Sequence, residues 1–253
     1  MSPSFLNFRY HFSYVPEYLR YVMRHRGRRA EFEAVAANVG KTRVFLVGNG
    51  PSLKEMNLDL LYGEDYFLCN LAERIEWTKG KIHPYYIATD PNVPTGYEGG
   101  KPGLQASTYF LEQALLPLVA GNFQAGAEIV SFSCANGGTE GRGLSSQPWV
   151  SVPAGQTVLL SATQIAAYLG YKEIYIIGCD LNYSTAIPYA YQVDRQKEQQ
   201  RATNDDKMIV KTNRAFARLR EACERRGILL ANATEGGNLK SLLRVSFNEL
   251  FKR

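Results

Sequence analysis

The chain has 253 residues, 45% of them apolar and 21% charged, with a formal net charge of +5. That composition excludes a disordered, collagen-like or disulfide-scaffold protein, and the length suffices for one full core or two small ones. Residues 1–43 hold eight Lys/Arg against three Glu, while the rest of the chain holds 21 of each sign. The surplus therefore belongs to an N-terminal arm, which argues against a generally basic nucleic-acid-binding surface.

Residues 5–29 interleave aromatics such as Tyr14, Tyr18 and Tyr21 with Arg9, Arg20, Arg24, Arg26, Arg28 and Arg29. From Pro16 onward this predicts a short basic amphipathic helix. Such a helix meets an anionic membrane surface or a partner, or it packs its aromatics on the body with its arginines solvated; the second is the commoner use. The expected organisation is a basic arm over 1–42 and an α/β domain over 43–253.

Beyond Lys41, strands and helices alternate. Arg43–Gly48 (RVFLVG) is a β-branched apolar run ending in glycine and predicts a buried strand. Tyr66–Asn70, Pro84–Thr89, Glu128–Phe132, Glu173–Gly178 and Ile228–Asn232 predict further strands. Thr157–Leu169 has helical length, with Gly170 placed as its cap, and Asp206–Arg226 reads as a long charged helix. Alternation of this kind predicts a Rossmann-like α/β fold, a largely parallel sheet with helices on both faces. Residues 90–126, 133–156 and 182–205 are long polar connections, the type that usually carries function.

The four cysteines (Cys69, Cys134, Cys179 and Cys223) form no C-x-x-C pair, and His11, His25 and His83 lack ligand spacing to them. Neither a zinc site nor a disulfide framework is expected, so the chain reads as a protein of a reducing cytoplasm. No apolar stretch reaches the roughly 20 residues of a membrane helix, and the N-terminus lacks a signal-peptide core.

In an open α/β sheet, ligands bind beyond the carboxyl ends of the strands. Four predicted strand ends finish in small or polar residues: Gly48-Asn49-Gly50-Pro51-Ser52, Cys69-Asn70, Thr89-Asp90-Pro91 and Gly178-Cys179-Asp180. The first is the sharpest. Its glycines allow a tight turn, and loop amides with a following helix terminus suit an anion. It is not the dinucleotide fingerprint, because Leu53 stands where a third glycine would be, and no G-K-[ST] follows to make a Walker loop. Individually, Asn70, Asp90 and Asp180 also suit turns and caps.

The stretch VFLVGNGPSLKEMNLDLLYGEDYFLCN (44–70) resembles the nucleotide-binding start of the bacterial sialyltransferases of glycosyltransferase family 42, and YLGYKEIYIIG (168–178) is similar to a helix-to-strand segment of the same enzymes. The combination, with the closing NATEGGNLKSLLRVSFNELF (232–251), also resembles a broader family that includes the archaeal 6-hydroxymethyldihydropterin pyrophosphokinases. The resemblance implies a transferase of surface-glycan assembly that binds a CMP-linked acidic sugar. Gly48, Asn49, Gly50 and Ser52 would meet the donor's phosphate and ribose, Asn70 its sugar or cytidine side, and Thr157 would precede the central helix.

Two departures bear on the chemistry. The family's asparagine after the third strand is Asp90 here, and its catalytic histidine has no counterpart, since no histidine follows His83. Tyr183, Tyr189 and Tyr191 only loosely match tyrosines that assist phosphate departure. Asp180 or Asp90 would then act on the acceptor hydroxyl, with no metal required. The alternative is a pyrophosphokinase in which Asp90 and Asp180 hold Mg²⁺ and cations from residues 195–226 neutralise the phosphates of ATP. Against that alternative, a pterin pocket usually needs aromatic stacking, and the sequence does not place Tyr97, Phe110 or Trp149 over a ring. A third possibility is a non-catalytic relative that keeps the nucleotide pocket and recruits a partner through residues 1–30. Glu235-Gly236-Gly237 reads as a turn before it reads as a ligand contact.

Overall fold

The computed structural model describes residues 23, 25–90, 93, 104–119, 123, 125–135, 143–153, 155–182, 189–191 and 205–252. Eight strands form one sheet: β1 (Arg43–Val47), β2 (Asp65–Cys69), β3 (Ile82–Ala88), β4 (Gln105–Glu112), β5 (Glu128–Phe132), β8 (Glu173–Ile177), β9 (Leu229–Asn232) and β10 (Leu243–Arg244). Their spatial order is β10-β9-β8-β1-β2-β3-β4-β5, and every pairing is parallel. The two-residue β6 (Cys134–Ala135) and β7 (Val152–Pro153) pair separately. The α/β fold expected from the sequence is therefore present.

Alternation along the strands divides the core between the two faces. Val44 and Leu46 of β1, with Ile174 and Ile176 of β8, point to a core shared with three helices: α1 (25–38), α3 (Val158–Leu169) and α4 (Asp205–Glu224). Phe45, Val47, Tyr175 and Ile177 point the other way. That second face is covered by short 3₁₀ turns such as Pro51–Glu55 and Leu58–Leu61, the one-turn helix α2 (Leu116–Val119) and the C-terminal Phe247.

Most of the predicted N-terminal helix, including Tyr18 and Tyr21, lies outside the described residues. The part described packs on the body. Phe32 of α1 is fully buried, with its ring 5.8 Å from both Phe110 and Tyr168 and 6.4 Å from Trp149. A buried aromatic of this kind contributes about 1.5–3 kcal/mol. Phe110 and Trp149 are thus core residues and do not form a stacking platform for a pterin; Tyr97 lies outside the described residues.

The topology places a switch point at the centre of the sheet. From β1 the chain moves outward through β2 to β5, then returns to lay β8 on the other side of β1 and continues to β10. Adjacent connections that leave in opposite directions open a crevice beyond the carboxyl ends of β1 and β8.

Candidate functional site

A cavity of about 540 Å³ occupies that crevice. All four polar strand ends line it: Gly48, Asn49 and Gly50 after β1, Cys69 and Asn70 after β2, Thr89 and Asp90 after β3, and Gly178, Cys179 and Asp180 after β8. Thr157, Val158 and Leu159 at the start of α3 close one side. Of the predicted site residues only Ser52 stands behind the wall.

The β1 loop is stitched to the end of β8. The Gly48 amide donates to Ile177 O at 2.8 Å and the Gly50 amide to Gly178 O at 2.8 Å. The Ser52 amide and hydroxyl donate to the two Asp180 carboxylate oxygens, at 3.2 and 2.8 Å. Glycine at position 50 is a steric requirement, because a Cβ there would lie 1.7 Å from Asp180 Oδ2. The loop amides expected to cradle an anion are therefore largely taken up inside the protein.

Helix α3 can fill that role. Thr157 caps it, its hydroxyl accepting from the Leu159 amide at 3.4 Å. The Val158 amide has no acceptor within the helix, and the positive end of the dipole faces the cavity. No Lys, Arg or His is among the described residues that line the cavity. What the described lining offers an anion is backbone dipoles.

The asparagines are fixed in specific roles. Asn49 Nδ2 donates to Cys69 O at 3.0 Å, which leaves Asn49 Oδ1 buried and, among the described residues, without a partner. Asn49 thus offers an acceptor, suited to a hydroxyl or amino group. Asn70 adopts a left-handed backbone (φ 49°), tied down by its amide to Ile87 O at 2.9 Å and by Thr89 N to its Oδ1 at 3.3 Å.

The Asp180 carboxyl is displaced upward from the usual range by burial, with the Ser52 hydrogen bonds pulling the other way. Burial also pushes up both cavity thiols, Cys179 to about 12 and Cys69 further. Neither is a thiolate nucleophile at neutral pH. All four cysteines are unpaired, and among the described residues no group of three or more His, Cys, Asp or Glu is placed to hold a metal ion.

Sequence reasoning did not single out Gln156, Asn182 or Met208, which also line the cavity. The first two lie on long polar connections, which was the available signal; Met208 sits in the first turns of α4. Tyr189 lines the cavity too, stacked on Tyr191 with centroids 5.3 Å apart. The bend that carries them is held by the Ala190 amide donating to Asn49 O at 2.8 Å. Tyr183 lies outside the described residues. Glu73, three residues past Asn70, was also missed: both its oxygens are buried without a partner among the described residues, and burial raises its carboxyl to about 7.

No family model matches the chain, and no curated protein does. Among solved structures, the chain is similar to the sialyltransferase CstII from Campylobacter jejuni in complex with cytidine-5'-monophosphate. The identity is 17%, with 83% of this chain and 87% of that chain covered and a TM-score of 0.46. A point variant of Cst-II in complex with CMP gives 17% identity, coverage of 79% and 84%, and a TM-score of 0.49. The CstII complex with CMP-3FNeuAc gives 16%, 82% and 88%, and 0.47. At these values the likeness assigns no activity to this chain.

Proposed function

We propose that the chain is a glycosyltransferase that uses a CMP-activated acidic sugar, sialic-acid-like or Kdo-like, to extend a glycan acceptor in bacterial surface-glycan biosynthesis. The observation that supports this most is convergence. Four polar strand ends distant in sequence, together with the start of α3, surround one cavity at the switch point, of a size that suits a mononucleotide with its sugar. The resemblance of residues 44–70 and 168–178 supplies the nucleotide class. In this reading the protein works in the cytoplasm.

The donor phosphate sits at the start of α3, where the Val158 amide and the helix dipole meet its charge. Asn49 Oδ1 accepts from a donor hydroxyl or amino group, and Asn70 holds the sugar side. Asp90 takes the proton of the acceptor hydroxyl as its oxygen bonds to the anomeric carbon, and CMP leaves with the electron pair of the broken C–O bond. The charge that grows on the departing phosphate is stabilised by α3. No metal is part of this scheme. Asp180 is a positioning residue, since both carboxylate oxygens already accept from Ser52. That engagement disfavours the pyrophosphokinase alternative, which asks the same carboxylate to hold Mg²⁺.

A thermal-shift comparison tests the reading. Millimolar CMP and CTP are expected to raise the melting temperature. No shift with either, together with a rise in Mg-ATP, would overturn it in favour of pyrophosphoryl transfer.

A further inference from the structure

The segment Asn232–Ser241 lies behind the cavity wall. The Asn238 amide donates to Asp180 O at 2.7 Å, and Asn238 Nδ2 donates to Leu181 O at 3.0 Å. Leu181 is left-handed (φ 50°), a conformation that a leucine adopts only when its surroundings impose it. Asn238 O in turn accepts from Asn213 Nδ2 of α4 at 2.8 Å, and Asn213 Oδ1 accepts from the Lys240 and Ser241 amides at 2.8 and 3.0 Å. One residue earlier along the wall, the Cys179 amide donates to Thr234 Oγ1 at 3.0 Å.

The approach is close enough to demand glycine on both sides. A Cβ at Gly237 would sit 2.6 Å from Asp180 O, and one at Gly50 would sit 1.7 Å from Asp180 Oδ2. Asp180 is therefore clamped through its main chain by the 237–238 turn and, through its side chain, clamps Ser52.

We propose that the Asn232–Ser241 segment is a brace for the nucleotide loop, with Asn238 and Asp180 as positioning residues: Asn238 fixes the main chain of Asp180 and Leu181, and the Asp180 carboxylate fixes Ser52 and the Gly48–Ser52 loop. That the braced loop meets a nucleotide rests on the glycosyltransferase reading; the brace itself does not. The device ties α4, the turn and the loop into one unit.

Hydrogen-exchange mass spectrometry on the full chain tests this. In D180A, amides of residues 48–53 are expected to exchange about tenfold faster or more, because both Ser52 hydrogen bonds are lost; in N238A, which loses the side-chain bond to Leu181 O and keeps the main-chain bond to Asp180 O, they are expected to exchange about threefold faster. Amides of β3 and β4 are expected to keep wild-type rates. D180N is expected to stay near wild type, since its carboxamide accepts from the Ser52 amide and donates to the Ser52 hydroxyl. CMP dissociation constants are expected to rise about tenfold in D180A, about threefold in N238A and little in D180N. Unchanged exchange over 48–53 in N238A, acceleration spread evenly over the sheet, or a D180N loop as loose as in D180A would overturn the brace. If D180A does not fold, N238A and D180N carry the test. If the wild type binds no CMP, the glycosyltransferase reading fails, and the exchange rates still decide the brace.

Discussion

The two edges of the sheet use the same residue types for opposite ends. At the amino edge, polar groups close on one another. Arg43 forms a two-pronged pair with Glu64 at 2.6 and 3.0 Å, donates to Leu250 O at 2.9 Å, and lies over the rings of Phe45 and Phe251. Tyr171 donates to Asp65 at 2.7 Å at the same edge, on the other face of the sheet. At the carboxyl edge, hydrogen bonds are used to hold main chain in place while acceptors and a helix terminus face open space. Asn49 is the clearest case: one half of its amide is bonded and the other half has no partner among the described residues. Closure serves stability, and the incomplete satisfaction at the other edge is what a binding site requires.

Substitutions at each edge should therefore separate. The largest effect expected is on turnover: Asp90→Asn lowers the transfer rate roughly 10²–10⁴-fold while the CMP dissociation constant stays within about threefold, as for loss of a general base. A parallel loss of affinity would place Asp90 in binding instead. At the amino edge, Arg43→Ala leaves Glu64 half-buried without its partner and should cost about 2–4 kcal/mol, read as a drop in chemical denaturation midpoint with CMP affinity unchanged.

Glu73 blurs the division, since it is a largely buried carboxyl near the carboxyl edge, and among the described residues no side chain is hydrogen-bonded to it. Its unfolded form ionises near 4.5, whereas the native carboxyl keeps its proton up to about 7. Between those values the native state binds more protons, so this group's contribution to stability falls as pH rises through the window and is level above it. Glu73→Gln should accordingly stabilise the chain at pH 8, on the order of 2 kcal/mol, and by almost nothing at pH 4. A constant difference across that range would contradict the burial of its charge. The smallest effect is at α3: Thr157→Ala removes the cap for about 1 kcal/mol of stability and weakens CMP several-fold, which titration calorimetry can read.

Much of this was legible in the sequence because it is local. Short apolar runs that end in Gly, Asn or Asp marked β1, β2, β3 and β8 together with their cavity-facing ends, and Thr157 and Gly170 marked both caps of α3. Strand β4 was hidden inside the 90–126 connection, since it opens on Gln105-Ala106-Ser107-Thr108 and carries no early apolar signal. The 3₁₀ cover of the second face was equally silent, as it has neither the period of a helix nor its length. The working state of Asp180 was not readable at all. Its carboxylate could be assigned to catalysis from its strand end alone; its engagement by Ser52 depends on contacts across 128 residues of chain. The N-terminal basic charge separates in a similar way, with Phe32 of α1 in the core and Arg29 over Trp149 at 5.6 Å, and the aromatic stretch before it outside the described residues. Among the described residues no helix is long and apolar enough to cross a membrane.

The central claim is that the carboxyl-edge cavity takes a CMP-activated acidic sugar and breaks its bond to phosphate. Phosphorus NMR of the full chain incubated with CMP-Neu5Ac, and separately with CMP-Kdo, tests it directly. At least one donor's phosphodiester signal is expected to convert to the CMP monoester signal faster than without protein, and Thr157→Ala is expected to slow the conversion. Both donors intact, with AMP formed from Mg-ATP in the presence of a pterin alcohol, would contradict it.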